Sequence, residues 1–238
     1  MALTLLETVI EEAQGAGPVP VLLRRLKVLA TRTGARDTLL PWVNSELVGY
    51  RPDHDVLPSY RGPFPTAPLG NYIGMGGTTL TDHAVARTGF DESLAEVFFN
   101  QSFLASVAEL EVAAGRKTTY FSWPGEVVGY YNSLISQGKA GVASHFACLG
   151  VKYSFSQAVF VGILDQVRNI ALDLALELEE VAPQAGEPGA GDVVNTEARE
   201  LIQQHFHIEG MVVSGSNITF GGEGSIMQGI QEFKPVPE

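Results

Sequence analysis

Cysteine occurs once in the 238 residues, at Cys148. That excludes an intramolecular disulfide and any thiolate-rich zinc site, and it fits a reducing compartment. Cations are scarce too: 15 Lys and Arg stand against 27 Asp and Glu, a formal net charge of −12. Phosphate neutralisation needs clustered Lys and Arg, so no strong nucleic-acid surface is expected. The deficit is uneven. Residues 1–50 balance Arg24, Arg25, Lys27, Arg32 and Arg36 against five acids, whereas residues 163–209 carry ten acids opposed only by Arg168 and Arg199. The stretch 159–181 is long enough to span a bilayer, but Asp165, Arg168, Asp173, Glu177, Glu179 and Glu180 interrupt it, so no membrane span is expected. The opening MALTLLETVIEEA lacks the basic start of an export signal, and a cytoplasmic protein is the expectation. No P-loop, no GxGxxG after a strand, no HExxH, no GxSxG and no kinase signature is present. With no histidine pair at metal-ligand spacing beside a carboxylate, neither cofactor nor metal is expected.

What the chain does have is helical periodicity. From Val159 to Val181, the residues Ile163, Val167, Ile170, Leu174, Leu178 and Val181 recur every three or four positions, one face of an α-helix. Leu172 and Leu176 lie opposite, the pattern of a helix packed on two sides. Asp165, Asn169, Asp173 and Glu177 form its polar edge. The fold class predicted is mainly α with a small β component: a helical domain, residues 1–182, around the buried helix 159–181; a linker, 183–192; and residues 193–238, a short helix with a C-terminal β-hairpin tail.

In chain order, helices are predicted over Leu3–Gln14, Pro20–Thr33 closed by Gly34, and Asp37–Val48 with Asp37 as N-cap. The Pro- and Gly-rich stretch from Tyr50 to Gly77 argues against a long helix or a central strand and predicts an ordered loop. A helix is predicted over Leu94–Ala114, a short strand over Thr118–Trp123, and a helix over Pro124–Gln137. Residues 141–155 favour strand near their end. The APQAGEPGAGD stretch, 182–192, is a linker by composition. A last helix, Thr196–His207, is predicted with Thr196 as N-cap, then two short strands within Met211–Ile230. Two strands alone are marginal in water, so this tail is the expected oligomerisation element.

Two constellations could carry chemistry. Asp165, Arg168 and Asn169 place an acid, a guanidinium and an amide on one helix edge, able to bind a phosphate or orient a water; the alternative is an edge that anchors a neighbouring loop. Arg199 and His205, in RELIQQH, match the looser Arg–His spacing of HEPN-type ribonucleases, in which the arginine steadies phosphate and the histidine moves a proton. His145, in an apolar run, is expected as a core histidine, and Cys148 as a small buried residue.

Four blocks resemble the AbiTii domain, named for a two-gene abortive-infection system: Leu22 to Tyr50, Leu57 to Gly74, Tyr120 to Ile135 and Ser154 to Glu179. In the last, Ser156, Ile163, Leu164, Asp165, Val167, Arg168, Leu172, Leu176, Leu178 and Glu179 stand in the family pattern, while its arginine after Asn169 is Ile170 here. The resemblance covers residues 1–182. It implies an antiviral effector that halts its host cell, controlled by self-assembly or a regulatory protein partner, and supplies no reaction. The alternatives are a ribonuclease-like enzyme using Arg199 and His205, or a structural or sensor subunit.

Overall fold

The computed structural model describes residues 3–52 and 55–208, so His54 and the tail Met211–Ile230 lie outside the described residues. Of the described residues, 54% are in helix and 16% in strand, which makes the fold mixed α with sheets, richer in β-structure than periodicity alone suggests. The chain divides into two units, each assembled from non-contiguous segments.

The helical unit takes residues from 1–60, 104–115 and 158–208. It contains α1 (Leu5–Gln14), α2 (Val19–Thr33), α3 (Leu39–Val48), α5 (Val107–Ala114), most of α7 (Gln157–Val181) and α8 (Asp192–Ile208). Thr4 and Glu7 cap α1 reciprocally, and Ser106 and Glu109 do the same for α5; each box satisfies N–H groups that a helix start leaves unpaired. Gly34 closes α2 in the left-handed conformation, φ 78°, which glycine adopts without a Cβ clash. α2 touches α1, α3, α5 and α8, and its Leu22, Leu23, Leu26 and Leu29 are fully buried. α3 begins after Thr38, two residues later than expected, so Asp37 is not its cap.

The predicted stripe of α7 is buried from Ile163 to Leu178, but Val181 is 52% exposed and Leu176 45% exposed. The helix therefore buries one face, rather than the two expected. Its polar edge, Asp165, Asn169, Asp173 and Glu177, is solvated as predicted. The stretch expected as a linker is instead tied down. Ala182 and Ala185 are buried, Arg32 donates to the Gly186 carbonyl at 2.8 Å, and the Leu5 N–H donates to the Glu187 carboxylate. Alanine and glycine look like spacer by composition, yet their small side chains let backbone come close to neighbouring helices. Beyond them α8 starts four residues earlier than expected. Thr196 lies inside it, its hydroxyl donating to the Asp192 carbonyl at 2.8 Å, and so is not the N-cap.

The sheet unit takes residues from 61–103 and 116–157. It contains β1 (Phe64–Pro65), β2 (Leu69–Gly74), β3 (Thr79–Ala84), α4 (Glu92–Phe99), β4 (Asn100–Gln101), β5 (Thr118–Ser122), α6 (Gly125–Ser136) and β6 (Phe146–Ser156). Four strands form an antiparallel sheet in the order β3-β2-β6-β5, while β1 pairs β4 separately. β2 is thus an interior strand inside the stretch expected to be loop. Its prolines, Pro65 and Pro68, stop short of it. Its glycines make room for rings: a Cβ at Gly74 would stand 2.8 Å from Cε1 of Phe146, and one at Gly70 would collide with the Tyr72 ring.

The single helix expected over Leu94–Ala114 is two, α4 and α5, one in each unit. Asn100 and Gln101 leave the helix to pair with β1, and the Ser106 capping box restarts it. Tyr72, Phe98, Trp123, Tyr131, Ile135 and Cys148 belong to the core of this unit. His145, expected in a core, is exposed in the turn before β6.

Candidate functional site

On α7 the side chain of Arg168 turns toward the α1–α2 connection. It donates to the carbonyls of Glu12 at 3.3 Å and Gly15 at 3.1 Å, and also to that of Gly17. These belong to the last turn of α1 and the chain leaving it, where carbonyls lack intrahelical partners. Asp165 and Asn169 face solvent and do not join Arg168 in a site. The arginine anchors a loop, through carbonyls rather than a salt bridge.

Arg199 and His205 do not converge either. At about 100° per residue, six steps along a helix leave two side chains about 120° apart. Ala198, Ile202, His205 and Phe206 form the buried face of α8; Arg199 and Gln203 line a groove with the α2–α3 connection. His205 is 7% exposed, and its Nδ1 lies 3.1 Å from Glu177 Oε2 on α7. A carboxylate only accepts, so Nδ1 carries the hydrogen. The buried Nε2 has no hydrogen-bond partner among the described residues. Of the exposed cations on α2, Arg25 pairs with Glu12 at 3.2 Å and Lys27 donates to Asn44 at 2.9 Å.

Two polar clusters escaped sequence reasoning because only folding assembles them. In the helical unit, Glu46 is fully buried and its Oε1 accepts from the Tyr50 hydroxyl at 2.6 Å and the Tyr60 hydroxyl at 2.7 Å. Tyr60 in turn accepts from the Trp42 indole N–H at 2.8 Å. In the sheet unit, the Tyr72 and Tyr131 hydroxyls lie 3.1 Å apart and Tyr131 donates to the Ala140 carbonyl at 3.4 Å. Burial pushes both phenols up, and also the Cys148 thiol, because a charged form is poorly solvated there. Burial likewise pushes Tyr153 up to about 12. Asn132 on α6 grips the backbone of Cys148 at both ends, donating to its carbonyl at 2.9 Å and accepting from its N–H at 2.7 Å.

Cys148 is free and buried, as predicted. The thiolate is the reactive form. In the folded protein Cys148 should therefore react with an aromatic disulfide reagent at pH 8 more slowly than in urea, by roughly tenfold or more. Equal rates in the two states would contradict its burial.

Among the described residues no group of three or more His, Cys, Asp or Glu is placed to hold a metal ion, and no helix is long and apolar enough to cross a membrane. Compared with known proteins, the chain matches the AbiTii family model over residues 4–204. That match runs through the expected linker and into α8. No curated protein and no solved structure matches the chain.

Proposed function

We propose, because the chain belongs to the AbiTii family, that it is the toxin of an abortive-infection-type response, an anti-phage effector that arrests its host cell from the cytoplasm. The family name associates the chain with abortive infection and defence, and the observation that carries the reading is the length of the match, residues 4–204. The effector acts by binding a cellular target. Its control is self-assembly through Met211–Ile230 or a regulatory protein partner.

Within one chain the Arg–His pair points in two directions, and Arg168 is occupied by carbonyls. Both observations favour binding over a hydrolytic site built from those residues. Induced expression of the full chain in bacteria, with and without phage, tests the reading. Growth arrest with intact cellular RNA is the expected result. Absence of arrest under both conditions would sink the effector, and fragmented RNA would return Arg199 and His205 to a ribonuclease role. Light scattering of the full chain against residues 1–208 tests the tail: equal masses would remove it as the assembly element.

A further inference from the structure

The α2–α3 connection and the middle of α8 border an open groove of about 330 Å3, with Gly34, Asp37 and Thr38 on one wall and Arg199, Glu200 and Gln203 on the other. Its polar side chains share one property: none makes a hydrogen bond or ion pair with another described residue. For exposed Asp37, Glu200 and Gln203 that is ordinary. For Arg199 it is not, because the side chain is half-buried and a partly desolvated cation normally takes a partner. Arg168, likewise half-buried, does so, donating to the Gly15 carbonyl at 3.1 Å. Arg199 instead runs past Gly34, with a guanidinium nitrogen 3.7 Å from where a Cβ of residue 34 would stand. The glycine that ends α2 thus also leaves the guanidinium uncovered. Opposite it, Thr38 stands at the N-cap of α3, yet its side chain makes no capping hydrogen bond.

We propose that this groove binds a nucleoside monophosphate, with the phosphate seated on Arg199 and the Thr38 hydroxyl. A guanidinium fork matches phosphate oxygens two at a time. The carboxylates of Asp37 and Glu200 only accept hydrogen bonds, so they suit the donor groups of such a ligand, the ribose diol and an exocyclic amine. Gln203, one turn beyond Arg199 on the same face, carries both a donor and an acceptor for a base edge. The two acids also set selectivity, because they repel a bare anion and reward one that brings donors. The groove volume lies at the low end for small-ligand sites, the size of a mononucleotide rather than an oligonucleotide. This inference rests on the groove alone and stands whether or not the chain is toxic.

Calorimetric titration of the full chain with the four ribonucleoside monophosphates, with inorganic phosphate and with the unphosphorylated nucleosides tests it. At least one nucleotide should bind, about tenfold or more tighter than inorganic phosphate or its own nucleoside. Arg199→Gln should lower that affinity by about tenfold or more, and Asp37→Asn or Glu200→Gln by less. None of these side chains has a hydrogen-bond or ion-pair partner among the described residues, so thermal unfolding of the free variants should match the parent. No binding at roughly millimolar nucleotide, equal affinity for inorganic phosphate, or an unchanged affinity in Arg199→Gln would each overturn the proposal.

Discussion

Phe206→Ala should destabilise the helical unit by about 3–5 kcal/mol, the cost of emptying a well-packed aromatic site. Phe206 is fully buried on α8, as are Ala198 and Ile202, and its ring centroid lies 5.4 Å from that of Trp42 on α3. α8 touches both α2 and α3, so the loss falls on the centre of the unit. Against a typical total of about 5–15 kcal/mol for a domain, it is a large fraction. Urea unfolding followed by Trp42 fluorescence, in a background where Trp123→Phe removes the other indole, reads it directly. A chain ended at residue 208 should unfold cooperatively, whereas one ended at 182 loses Ala198, Ile202 and Phe206 from the core and should not. A cost below about 0.5 kcal/mol, the scale of neutral surface changes, would mean that α8 is an appendage after a linker.

That appendage is what composition suggests, and the failure has a physical origin. Residues 182–192 contain Ala, Gly and Pro with two acids, which argues against an element of its own but not against being packed over by others. Burial of Ala185 and the donor reach of Arg32 to Gly186 are tertiary facts without local signature. β2 was missed for the complementary reason. Gly70 and Gly74 count against a strand by propensity, yet each sits where an aromatic ring leaves no room for a Cβ, and this crowding exists only once Tyr72 and Phe146 are in place.

Other boundaries were legible. The α2 end at Gly34, the α6 start after Pro124 and the α7 stripe all follow from caps and periodicity. The break between α4 and α5 was legible as well, in the Ser106–Glu109 capping box, but the apolar period running through it hid the signal. At the candidate sites, spacing correctly placed each residue on its helix. It could not tell that Glu177 would meet His205 or that Arg168 would meet three carbonyls, because helix pairing is not written in either helix.

Arg168→Ala should cost about 2 kcal/mol of stability, toward the lower end of what several charge-assisted hydrogen bonds supply, because water can replace those that are solvent-exposed. The guanidinium reaches the carbonyls of Glu12, Gly15 and Gly17 together, which fixes the end of α1 and the chain leading into α2. Arg168→Lys should recover only part of the loss, since one ammonium on a flexible stem cannot reproduce a planar fork aimed at three oxygens. Asp165→Asn and Asn169→Ala, both solvent-facing, should change stability by less than about 0.5 kcal/mol. Denaturant midpoints of the four variants, measured beside their growth phenotypes, separate two roles for this edge of α7. If Arg168 is an anchor, activity falls only as far as the folded fraction falls, and lowering the temperature restores both. If Arg168→Ala keeps its midpoint and still abolishes arrest, or if the Asp165 and Asn169 variants abolish it at full stability, the edge is a working surface and the anchoring assignment is wrong.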